Sequence, residues 1–82
     1  MTLDSLAFGP DGNLYVSSDG TNQVFRCNGS TCVVFASGNG LSDPEKLVFG
    51  PDGNLYISSF DANAVLRYNG TTGAFINRLV PK

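Results

Sequence analysis

Short apolar runs alternate along this chain with clusters of Gly, Asn, Asp and Pro, and no window carries the 3.6-residue period of an amphipathic helix. In the first half the pattern predicts four strands: Leu6–Phe8, Asn13–Ser18, Gln23–Cys27 and Thr31–Ala36. Their separators are turn formers. Gly9-Pro10-Asp11-Gly12 combines a proline that presets φ with a glycine free to turn left-handed; Asp19-Gly20, Asn28-Gly29 and Gly38-Asn39-Gly40 follow. A sheet wetted on one side would alternate apolar with polar residues. Leu14-Tyr15-Val16, Leu55-Tyr56-Ile57 and Cys32-Val33-Val34-Phe35 instead place apolar groups on both faces. Two four-stranded sheets stacked on each other cover only one face of each, so the outer faces need a further partner.

The second half repeats the first. FGPDGNLY occurs at Phe8–Tyr15 and again at Phe49–Tyr56, an offset of 41 residues that divides the 82-residue chain into units 1–41 and 42–82. Matches along that offset include Leu6/Leu47, Ser17/Ser58, Asn22/Asn63, Val24/Val65 and Arg26/Arg67, while Val16/Ile57 and Phe25/Leu66 are exchanges a core tolerates. A four-stranded repeat of about 40 residues has the period of a β-propeller blade. Pro44, Leu47-Val48-Phe49, Gly53, Leu55-Tyr56-Ile57, Asn63, Val65 and Arg67 resemble an NHL repeat, and the first copy follows them with Leu3 in place of the proline. Ser18 and Ser59 stand where NHL blades usually carry aspartate, which widens the resemblance to related six- to eight-bladed propellers of lactonase and streptogramin-lyase type.

The resemblance implies an all-β chain of two propeller blades. Two blades do not close a ring, so the chain is expected either to come from a longer propeller or to complete itself with its own copies. A homotrimer would supply six blades and a homotetramer eight. Phe8, Tyr15, Phe25, Phe35, Phe49 and Tyr56 are the expected blade-interface residues.

Composition narrows the function. A net charge of −2 with five basic residues leaves no basic surface for nucleic acid or anionic lipid, and no apolar run approaches membrane-spanning length. Met1-Thr2-Leu3-Asp4 does not read as a secretory leader, so the chain as given is expected to be soluble. The absence of histidine removes Ser-His-Asp and Cys-His catalysis, and no cofactor-binding loop is visible. No catalytic or metal residue is assigned, and no small-molecule ligand is identified. Asp4, Asp43 and Glu45 precede first strands, which lie nearest the axis of a propeller. They would line one mouth of its channel, as a solvated rim or as oxygen ligands for a hard cation. Catalytic propellers of the related type hold a metal in that region, which makes a piece of such a protein the competing expectation. Asp11-Gly12-Asn13 and Asp52-Gly53-Asn54 resemble the start of a calcium loop but lack its later acidic ligand, and read as hairpin turns. Asn28-Gly29-Ser30 and Asn69-Gly70-Thr71 fit a glycosylation acceptor and, equally, the favoured hairpin dipeptide. Arg26 and Arg67 are expected to lay their stems over apolar surface. Cys27 and Cys32 flank one such turn, where either a disulfide or two packed thiols would fit.

Overall fold

Turn chemistry brings consecutive strands side by side, twice. The computed structural model describes residues 3–61 and 63–79. Its strands are β1 (Leu3–Phe8), β2 (Leu14–Ser18), β3 (Gln23–Asn28), β4 (Thr31–Ser37), β5 (Pro44–Phe49), β6 (Leu55–Ser59), β7 (Ala64–Tyr68) and β8 (Phe75–Leu79). They form two antiparallel meanders, β1-β2-β3-β4 and β5-β6-β7-β8. The first strand of each is longer than the apolar run alone suggests. It begins at Leu3 or Pro44 and carries an irregularity two or three residues later. Pro44 is tolerated because it opens its strand, where a missing N–H costs little.

The first hairpin is built identically in both sheets. The Gly9 N–H donates to Asn13 O (2.9 Å), and the Gly50 N–H donates to Asn54 O at the same length. The hairpins between third and fourth strands differ. In the first sheet Gly29 takes a left-handed φ of 65° and Cys27 pairs with Cys32. In the second the turn is longer: the Asn69 side chain accepts the N–H groups of Thr71 and Thr72, and Gly73 supplies the left-handed residue at φ 79°. The second Asn-Gly is therefore not a tight hairpin dipeptide as expected. Gly70 is needed there because a Cβ would collide with the Gly53 carbonyl. As a result Tyr68 pairs with Phe75, and the constant offset of 41 ends with the third strand. Phe75, not Gly73, stands where Cys32 stands, and Leu79, which pairs with Val65, stands where Ala36 pairs with Val24.

The two sheets stack face to face. Tyr15, Val24, Phe35 and Ala36 of the first meet Leu47, Leu55, Ile57, Leu66 and Tyr68 of the second, with Leu41 of the connection closing the same cluster. Leu55, Ile57 and Leu66 have no exposed surface, and burying each contributes about 1.5–3 kcal/mol. The Tyr15 ring lies edge-on to Phe35 (4.9 Å between centroids) and to Phe49 of the other sheet (4.7 Å). Polar groups tie the same junction. The Tyr68 hydroxyl donates to Gly38 O (2.8 Å), the Asp43 N–H donates to Asn22 Oδ1 (2.8 Å), and buried Ser59 accepts the Ser42 N–H while its own hydroxyl faces Gly40 O and Ser42 O. Among the described residues no buried side-chain nitrogen or oxygen lacks a partner.

Candidate functional site

Strand pairing assigns every side chain to a face. In the first sheet Ala7, Tyr15, Ser17 and Val24 share the face turned to the second sheet, whereas Leu3, Leu6, Phe8, Val16, Phe25 and Cys27 share the opposite one. In the second sheet the roles are exchanged. Pro44, Leu47, Phe49, Leu55, Ile57 and Leu66 face inward, and Val48, Tyr56, Ser58 and Val65 face away. Several repeat positions are thus buried in one sheet and open in the other. Leu47 is 8% exposed while its counterpart Leu6 is 64% exposed, and Phe8, the counterpart of Phe49, is 72% exposed. The exchange also runs the other way: Tyr15 is fully buried, whereas Tyr56 is partly open beside Val48, which is 59% exposed.

The expected interface residues therefore divide. Tyr15, Phe35 and Phe49 lie between the sheets. Phe8 and Phe25 lie on the outer face of the first sheet and Tyr56 on the outer face of the second. Phe25 pairs with Val34, so Phe35, the next residue of β4, points to the other face, and a register shift there makes Phe35 an extra residue and brings Ala36 to the inner face beside it. No composition or spacing signal marks that bulge.

Shallow hollows indent both outer faces. One of about 130 Å³ on the first sheet is lined by Leu3, Val16, Phe25, Cys27 and Cys32, and one of about 320 Å³ on the second includes Leu47, Val48, Tyr56 and Val65. Cys27 and Cys32 are joined as a disulfide across paired positions, with Cα atoms 4.0 Å apart. The bridge forms part of the first hollow's wall.

The aspartates of the first hairpins act as turn braces. Asp11 accepts the Asn13 N–H (3.0 Å), the Asn13 amide and the Tyr15 hydroxyl (2.8 Å), and Asp52 does the same for Asn54 and Tyr56. The backbone N–H of Asn13 or Asn54 contributes most to holding each carboxyl below its ordinary range. Their oxygens are engaged within the turn. Burial pushes the Tyr68 hydroxyl up to about 12, so it stays a proton donor to Gly38 O. Arg26 lies over the Phe35 ring at 5.5 Å, and Arg67 donates to Asn77 and sits 3.5 Å from Asp52. Arg26 thus sets its guanidinium over an aromatic ring, whereas the contacts of Arg67 are polar and lie within its own sheet.

The structure brings Asp4, Asp43 and Glu45 together. One carboxylate oxygen of each lies within 4.8 Å of the others, at the starts of β1 and β5. Asp43 holds a left-handed φ of 54°. Its carboxyl is raised to about 6, first by a hydrogen bond with the Asp19 carboxyl, then by desolvation and by the charges of Asp19, Glu45 and Asp61. Asp19 joins this group in space, although the sequence singles it out only as a turn residue. No protein-family model matches this chain, and no curated protein matches it either.

Proposed function

We propose that the chain is a two-blade unit of an NHL-like β-propeller that closes a ring with copies of itself, as a structural or binding scaffold without catalysis. One observation carries this reading. The outer face of the first sheet bears the repeat counterparts of the residues that the second sheet buries against the first, and the outer face of the second bears the counterparts of what the first sheet buries. Phe8 can approach Tyr56 of another copy as Phe49 approaches Tyr15 within the chain. The contact is head to tail and leaves one unsatisfied face of each kind at the ends of any open chain of copies. Closure removes both, at three or four copies for six or eight blades.

The polarity of the contact is directly testable. Phe8→Asp blocks one face and Val48→Asp the other, each by placing a charge in an apolar contact. Each variant alone should be monomeric by sedimentation velocity, and an equimolar mixture should form a capped pair with one intact interface. If the mixture stays monomeric, or either variant alone still forms the wild-type species, the head-to-tail ring is wrong.

A second reading, a piece of a longer catalytic or metal-binding propeller, draws on the convergence of Asp4, Asp43 and Glu45 at the starts of the innermost strands. It requires tight calcium or zinc binding in calorimetry that Glu45→Ala abolishes.

A further inference from the structure

The two interfaces of such a ring are not identical, and their differences compensate. Between the sheets of one chain, Ala36 and the bulged Phe35 of β4 lie where the second sheet presents its third and fourth strands. The Tyr68 hydroxyl reaches Gly38 O, a Cβ on Gly73 would meet Phe35 O, and Ala36, Tyr68 and Phe75 belong to one packed cluster. There a small residue, Ala36, shares the packed cluster with two aromatic rings, Tyr68 and Phe75, which lie edge to face with centroids 5.5 Å apart. At the outer faces the sizes are reversed. The register puts Leu79 in the place of Ala36, and Cys27 and Cys32 in the places of Tyr68 and Phe75. Two rings have become one disulfide, which leaves the apolar hollow of about 130 Å³ between Leu3, Val16, Phe25 and the bridge. The methyl of Ala36 has become a leucine side chain, and Leu79 is 41% exposed.

We propose that Leu79 of one copy seats in the hollow over the Cys27–Cys32 disulfide of the next copy, and that this pairing sets the register between copies. The inference rests on the head-to-tail reading above and adds the side chains that fix it. Interiors pack to the density of organic crystals, so an empty hollow at a buried contact would cost stability. A leucine opposite the hollow fills it, where alanine would leave a void. A leucine opposite Tyr68 and Phe75 would overpack.

A swap experiment tests the pairing. Leu79→Ala should weaken association at least tenfold in a sedimentation dilution series. The double change Cys27→Tyr with Cys32→Phe, which recreates the rings of the internal interface, should weaken it as well. Combining all three should restore association toward the wild-type value, because the alanine-against-rings pairing is then rebuilt. A Leu79→Ala chain that associates as tightly as wild type, or a triple variant no better than Leu79→Ala, overturns the seat. If these variants fail to fold, p-benzoylphenylalanine at position 79 of the otherwise wild-type chain gives a second measurement. Light-induced attachment to the segment bearing Cys27 and Cys32 of another copy is expected, and attachment elsewhere overturns the proposal. The two readings fail separately. A wild-type chain that never associates removes both, whereas a wild-type ring indifferent to Leu79→Ala removes only the seat.

Discussion

Phe8 and Phe49 close the same strand of the same repeat, followed by the same Gly-Pro-Asp-Gly turn, and they meet opposite fates. Phe49 packs its ring 4.7 Å from Tyr15, while Phe8 stands 72% exposed. Local sequence set the strand and the turn for both. What differs is the neighbour: Phe49 has a sheet before it and Phe8 does not. The comparison extends along both sheets, so each buried residue of the internal junction predicts what its exposed counterpart would do in an external one.

The largest expected effect comes from setting Leu66 beside its counterpart Phe25. Leu66→Ala empties a fully buried site between the sheets and should cost about 2–5 kcal/mol in denaturant unfolding. Phe25→Ala acts on the outer face, so its main effect should be on association in a dilution series. Equal losses of chain stability from both changes would break the equivalence.

Next in size is the disulfide, which only the first sheet has. It closes a short loop, the cysteines standing five positions apart, and its loss should cost about 2 kcal/mol. Thermal melts of a Cys27→Ala/Cys32→Ala variant against wild type measure it. The second sheet manages the same strand end with the Tyr68 and Phe75 rings instead. Tyr68→Phe sharpens that contrast: it deletes the hydrogen bond to Gly38 O while keeping the ring, and should cost about 1 kcal/mol in the same melts.

The smallest effect is the pH response of the carboxylates. Asp43 binds its proton more tightly in the fold than in the unfolded chain, with values of about 6 against 3.8. Its contribution is therefore fully present below 3.8 and lost as pH rises through about 6. Asp11 and Asp52 work in the opposite sense: their depressed values contribute stability above 3.8 that is lost on further acidification. Melting temperature should accordingly rise from pH 7.5 to 5 and fall below about 4. Asp43→Asn should flatten the upper part alone. A profile that falls steadily from pH 7.5 downward would contradict this assignment.

Much of the fold was legible in the chain because its turns are spelled out by Gly-Pro-Asp-Gly and its strands by short apolar runs. Apolar groups on both faces of the second strands were legible in Leu14-Tyr15-Val16 and Leu55-Tyr56-Ile57. Three features were not legible. The bulge that sets Ala36 beside Phe35 on the inner face is a register irregularity with no residue signature. The longer second hairpin hides behind a repeated Asn-Gly and shifts the counterpart of Cys32 to Phe75. The approach of Asp19 to Asp43 spans the junction between the repeats and depends on how the sheets stack.

Ring closure is read most simply from the mass of the wild-type chain in solution. Light scattering across a dilution series should give a single species of three or four times the 8.7 kDa chain mass, constant over the range in which the ring is intact. A folded, monodisperse monomer at every concentration would contradict the account, because the outer faces of both sheets would then be stable in water without a partner.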